Sequence, residues 1–215
     1  MSKSEFVTGL DAVQSEVNSL LIPLGFRKKG RTHNRLTKGG LTHVVNFQRE
    51  KYVEQRRIFP QFWKKTYGKF AINLGVLLPC VYQAECPSSS TEFFQEYDCT
   101  IRRRLSPIAF SDKWFEITDD TSDLAKTIVD LFQRCGLMFF DQFQTYEDVL
   151  SYYQKHNKLP FQNPDRASLE AALIAHHLGN AELARSLFGK AYAANHKGFQ
   201  DHVAKLTKLV GYTLK

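Results

Sequence analysis

Apolar and polar positions alternate strictly from Phe70 to Val76. Phe70, Ile72, Leu74 and Val76 fall on one face of an extended chain, and Ala71, Asn73 and Gly75 on the other. That spacing predicts a central β-strand ended by Pro79, which has no N–H to give a ladder. A second alternating run, Leu41–Arg49, puts His43, Val45 and Phe47 on one face and Thr42, Val44, Asn46 and Gln48 on the other. Lys38-Gly39-Gly40 before it reads as a hairpin turn. Residues 25–37 read as one extended segment. Residues 97–105 read as a further strand, with Arg102 and Arg104 on one face and Cys99, Ile101 and Arg103 on the other. Residues 113–117 read as a short strand. In residues 4–24 the period is helical: Phe6, Leu10, Val13, Val17, Leu20, Leu21 and Leu24 form one stripe.

Beyond Thr121 the period changes from two to about 3.6. Leu124, Ile128, Leu131 and Cys135 line a helix that Gly136 is expected to end. Thr145 with Asp148 predicts a capped start, and Asn163-Pro164 opens the next helix. Two more are expected near 180–195 and 198–213. The fold class is therefore α+β: an N-terminal helix packed on an antiparallel sheet in residues 1–120, then an α-helical extension over 121–215.

Charge adds a location to this architecture. The net charge is +7, and residues 25–69 alone hold 13 Lys and Arg against two acids. Such a field attracts nucleic acid, phosphates or an acidic protein, or is simply a solvated face. Residues 50–67 mix Phe59, Phe62, Trp63 and Tyr67 with Arg56, Arg57, Lys64 and Lys65. They read as a long loop whose aromatics either stack on a nucleic acid strand or anchor the loop to the core. The four Cys form no C-x-x-C pair, so no zinc set is expected. The first residues show no secretory pattern and no apolar run is long enough to span a bilayer. A cytoplasmic protein with free thiols is the expectation.

When the apolar faces are aligned, the opposite face gathers Asn46, Gln48, Asn73, Gly75, Arg102 and Arg104. Guanidinium groups pair with carboxylate or phosphate through parallel N–H bonds, and Gly75 leaves room for a ligand or a partner's backbone. Three readings of this face stay open: a ligand or partner site, the wet side of the sheet, or an internal network under the C-terminal helices. The binding residues singled out are Gln48, Asn73, Arg102 and Arg104, with Lys29 and Arg31 at the rim. No nucleophile elbow, phosphate loop or H-E-x-x-H occurs, and no cofactor, metal or catalytic residue is expected. The leading reading is a non-enzymatic binding module for an anionic ligand or an acidic protein. The alternatives are nucleic-acid binding through residues 25–69 and an enzyme acting on a phosphorylated or carboxylated small molecule.

Two resemblances complete the picture. Gly25-Phe26-Arg27-Lys28-Lys29-Gly30-Arg31, Val45-Asn46-Phe47-Gln48, Phe70-Ala71-Ile72-Asn73-Leu74-Gly75, Cys99-Thr100-Ile101-Arg102-Arg103-Arg104 and Asp112-Lys113-Trp114 occur in that order. This resembles the bacterial domain-of-unknown-function 4304 family over about residues 4–117. The resemblance implies a bacterial cytoplasmic protein with a helix on an antiparallel sheet, and no particular activity. Leu169, Ala172, Ala175, Gly179-Asn180, Ala184, Phe188 and Ala191 look like one tetratricopeptide-type helical hairpin.

Overall fold

The structure is a computed structural model that describes residues 3–49, 68–107, 113–118, 120–160 and 162–213. The expectation for residues 50–67 lies outside the described residues.

Helix α1 (Lys3–Leu21) buries Phe6, Leu10, Val13, Val17 and Leu21, the stripe its spacing dictates. The chain then turns through Gly25, at φ 87°. Residues 25–37 are not one strand but a tight hairpin, β1 (Arg27–Lys29) and β2 (Thr32–Leu36), turning at Gly30 with φ 61°. All three β1 residues are exposed, so this edge strand carries no hydrophobic alternation that would mark it in the sequence. The turn at 38–40 and the strand after it form as expected: β3 is Thr42–Arg49. The central strand β4 (Lys69–Leu77) pairs with β3 on one side and with β5 (Ile101–Arg104) and β6 (Phe115–Glu116) on the other. Every pairing is antiparallel, and the order is β1-β2-β3-β4-β5 with β6 beside β4.

Pro79 ends β4 as expected, yet it also starts helix α2 (Pro79–Glu85), where its missing N–H costs nothing at the first position. Only a single 3₁₀ turn (Glu96–Asp98) occupies the first part of the expected 97–105 strand.

The second half is helical. α3 (Thr121–Leu131) is capped by Asp120, whose side chain accepts from Asp123 N–H. Gly136 does not end it. The helix runs on through a π-turn (Phe132–Gly136) into α4 (Leu137–Asp141). Gly136 is there for packing: a Cβ would sit 3.1 Å from the Phe132 ring. The capping box at Thr145 and Asp148 opens α5 (Tyr146–His156). Asn163 caps α6 (Pro164–His177), and α7 (Ala181–Tyr192) and α8 (Lys197–Leu209) follow. The architecture is α+β.

The core lies between the sheet and the helices. Val45, Phe47, Phe70, Ile72, Leu74, Val76 and Ile101 join the α1 stripe in one cluster that also takes in Phe139, Phe140 and Phe143. Phe140 touches Phe26 and stacks on His43 at 4.4 Å between centroids. His33 and His43 are fully buried on this face and do not meet at one point. The His33 ring pairs with Asn18 Oδ1 at 2.7 Å. His43 donates from Nε2 to the Phe143 carbonyl at 2.7 Å and accepts at Nδ1 from Arg35 at 2.9 Å. That arrangement needs a neutral ring, and burial lowers both pKa values from 6.5 to about 4.

Candidate functional site: the polar sheet face

Register decides which polar residues meet. Thr32 pairs with Asn46, Asn46 with Asn73, and Asn73 with Arg104. One step along, Val44 pairs with Gly75 and Gly75 with Arg102. Gln48 pairs with Ala71. Residues directly opposite one another share a face, so Gln48, Asn73, Arg102 and Arg104 all project from the face turned away from α1. Asn73 is buried and donates to Gln48 Oε1 at 2.8 Å. Arg104 lays its guanidinium over the Trp114 ring at 4.4 Å, which orients the plane of its donors. The Arg102 side chain is 49% exposed, and its carboxylate contact, to Glu96 Oε1, is long at 3.8 Å. Burial raises the Glu96 carboxyl pKa in spite of both arginines.

The rim residues go elsewhere. Lys29 belongs to the same row, four strands from Arg104, so about 19 Å separates them at the usual strand spacing. It lies instead over the Phe93 ring. Arg31 turns to the other side of the sheet, donating to Gln14 Oε1 at 2.7 Å and pairing with Asp11 at 2.5 Å.

Part of the polar face is covered, and by the chain's own segment before β5. Asn34 grips the Phe94 backbone twice: its Nδ2 donates to the carbonyl at 2.9 Å and its Oδ1 accepts from the N–H at 2.7 Å. Asn46 donates to Thr32 Oγ1 at 2.8 Å, and Thr32 donates to Gln95 Oε1 at 2.7 Å. The space at Gly75, expected to admit a ligand, is filled by Cys99: a Cβ there would lie 2.5 Å from its Sγ. Cys99 was expected on the helix side. It lies on the polar side, packed with Val44 and Leu77, because the strand begins only at Ile101 and alternation does not reach back through the 3₁₀ turn. Its thiol pKa is raised well above the ordinary value, first by burial and then by Glu96 and Asp98.

A cavity of ≈ 330 Å³ adjoins this face, lined among others by Glu85, Asp98, Arg102, Gln162, Arg166 and Glu170. The residue that the pattern of the sequence hides is Glu170, 1% exposed inside the run of buried residues Ala167–Ala175 of α6. Its one visible signal is Arg166 four residues before it. Arg166 bonds Glu170 Oε1 and Glu85 Oε1, each at 2.8 Å. Burial nevertheless pushes the Glu170 carboxyl up to about 7. Among the described residues no group of His, Cys, Asp or Glu is arranged to hold a metal ion, and no helix is long and apolar enough to cross a membrane.

The family described as Domain of unknown function (DUF4304) matches residues 17–142. No curated protein and no solved structure matches the chain. The family match ends before α6 and α7, so the tetratricopeptide likeness of that hairpin stays a likeness of pattern.

Proposed function

We propose that this chain, which belongs to the DUF4304 family, is a binding module that receives a carboxylate or phosphate group on the sheet face carrying Arg102 and Arg104. The observation that carries the reading is the register: Asn73 stands opposite Arg104, and Gly75 beside it stands opposite Arg102. Two guanidinium groups and an amide pair from three strands therefore share one face of the sheet, which supports their acting on one anionic group. Arg102, half exposed and weakly engaged, is the residue with donors to offer. Gln48, exposed at the end of β3, supplies further amide donors. Lys29 and Arg31 drop out of the small-ligand version, one by distance and the other by its bonds to α1. Lys29 stays available to a larger acidic protein surface.

The nucleic-acid reading draws less support. Among the described basic residues of the 25–69 segment, Arg31 and Arg35 are spent on structural contacts. The enzyme reading has one observation in its favour, the cavity with a shifted carboxyl beside Arg102.

Calorimetric titration with citrate, glycerol phosphate and a hexaglutamate peptide tests the proposal. At least one should bind, and Arg102→Gln and Arg104→Gln should each weaken it about tenfold or more, as loss of a charge-assisted bond does. No binding by any of the three, or affinity indifferent to both substitutions, refutes it. A DNA oligomer that binds with a steep salt dependence and ignores both substitutions favours the nucleic-acid reading instead.

A further inference from the structure

The side chains around the cavity between α2, β5 and α6 keep hydrogen-bonding capacity in reserve. Among the described residues, Arg166 uses Nε on Glu170 Oε1 and Nη1 on Glu85 Oε1, each at 2.8 Å, which leaves Nη2. Glu85 takes Arg166 and His202 on that same Oε1, the latter at 3.1 Å, which leaves Oε2. Gln162 donates from Nε2 to the Thr100 carbonyl, which leaves its Oε1. Asp98 accepts the Gln95 N–H on Oδ2 at 2.8 Å, which leaves Oδ1. None of these four spare atoms is a buried orphan, so each has open surface, and all four residues line the cavity. The Arg166 and Glu85 side chains are 32% and 21% exposed. Arg102 adds a guanidinium that is 49% exposed, held among the described residues by a long contact to Glu96 Oε1 at 3.8 Å.

Charge is already answered here. Arg166 pairs with Glu85 and Glu170, and Arg102 faces Glu96, so a ligand gains little by bringing a charge of its own. What remains is donors, at Arg166 and Arg102, beside acceptors, at Glu85, Gln162 and Asp98. A hydroxyl is the group that serves both, giving one hydrogen and accepting on two lone pairs. Tyr97 stands on the same wall, 73% exposed, and offers the face of a ring to an apolar surface. We propose that this cavity is a binding site for a neutral hexopyranose, whose neighbouring hydroxyls bridge the carboxylate and guanidinium groups and whose C–H face lies on the Tyr97 ring. The volume of ≈ 330 Å³ suits a single sugar ring, at the lower end of the about 300–1,000 Å³ typical of small-molecule pockets.

The same lining selects against charged sugars. A uronic acid or a sugar phosphate would face the carboxyl groups of Glu85, Asp98 and Glu170, and each guanidinium that could answer it already has a carboxylate. A few hydrogen bonds exchanged against water, each worth little net, give a dissociation constant on the order of 1 mM. The site does not rest on the sheet-face reading: it shares Arg102 but not Gln48, Asn73 or Arg104. Cys86, exposed on the same wall, is a built-in reporter of occupancy.

The test is ligand-observed saturation-transfer NMR with glucose, galactose, mannose and N-acetylglucosamine at ~10 mM. At least one should bind saturably. Its methyl glycoside then separates two sources within the proposal: equal binding assigns the site to the end residue of a glycan, and failure assigns it to the free sugar. Tyr97→Ala and Glu85→Gln should each weaken binding about tenfold. Arg104→Gln should leave it unchanged, which separates this site from the sheet-face anion site. In the unaltered protein, a binder at about ten times its Kd should slow alkylation of Cys86 about tenfold by occupancy, a readout that does not depend on any variant folding. Sorbitol and glucuronate at the same concentration should not slow it. No hexose bound, affinity unchanged in Tyr97→Ala, Cys86 alkylation untouched or slowed equally by sorbitol, or glucuronate bound as tightly as the hexose overturns the proposal.

Discussion

Gly75→Ala probes the contact between the central strand and the segment that covers its polar face. A Cβ at this position would lie 2.5 Å from Cys99 Sγ and 2.9 Å from Cys99 Cβ, both inside contact distance. Cys99 cannot simply retreat. Its N–H bonds the Glu96 carbonyl at 3.0 Å, and the segment just before it is pinned where Asn34 holds Phe94. Overpacking of this kind costs about 1–3 kcal/mol. Replacing Gly by Ala in a strand returns about 0.5–1 kcal/mol of backbone entropy. With both contacts under 3.0 Å the overpacking cost falls in the upper half of that range, so the net is a loss of about 1–2.5 kcal/mol, or a fall in Tm of about 2–10 °C for a chain of this size. Thermal and urea unfolding of Gly75→Ala, Cys99→Ala and the double variant measure it. The double variant should recover part of the loss, with a coupling of about 1 kcal/mol, and only part, since the Cβ–Cβ approach remains. Were Cys99 on the helix side, as simple alternation expects, Gly75→Ala would be neutral or stabilising and the two changes additive; that outcome refutes the covered-face geometry.

Acid should destabilise the protein through its two buried histidines. Their folded pKa values near 4 lie below the unfolded value of 6.5. The unfolded chain therefore takes up protons first, and stability is full above 6.5 and falls as pH drops towards 4, by up to about 3 kcal/mol per histidine. Glu170 works the other way, its folded pKa being raised, so the discriminating measurement is the difference between His43→Gln and the unaltered protein. Urea unfolding from pH 7 to 4.5 should show a shallower fall for the variant, and identical slopes contradict the neutral-ring assignment. Asn34→Ala removes both partners of the Phe94 backbone and should loosen the covering segment. Cys99 should then react with a thiol reagent at least ~10-fold faster, read by mass spectrometry against the exposed Cys86; an unchanged rate counts against the pin.

Much of this arrangement is readable from residue order, and what is not has physical causes. β3 and β4 alternate strictly, so their faces and the set Gln48, Asn73, Arg102 and Arg104 follow from period two alone. The β1–β2 hairpin does not, because its outer strand is exposed on both faces and offers no apolar signal. Pro79 was legible as the end of a strand but not as the start of a seven-residue helix, too short to show a period. Gly136 suggests a helix end by residue type; only the nearness of the Phe132 ring explains why the helix runs through it. Glu170 is hidden among apolar neighbours of α6, and what sets its carboxyl apart is burial first, then Arg166, with Glu85 and Arg102 brought near from distant parts of the chain.

The central claim is that Arg102 and Arg104 receive an anionic group on a face shared with Asn73 and Gln48. Its most direct measurement is an NMR titration that follows the arginine side-chain Nε–Hε signals while citrate and glycerol phosphate are added. The account predicts that Arg102 and Arg104 move together along one saturating curve, while Arg31, held by Asp11 and Gln14, stays still. Signals that do not move, or that move equally for every exposed arginine, contradict it.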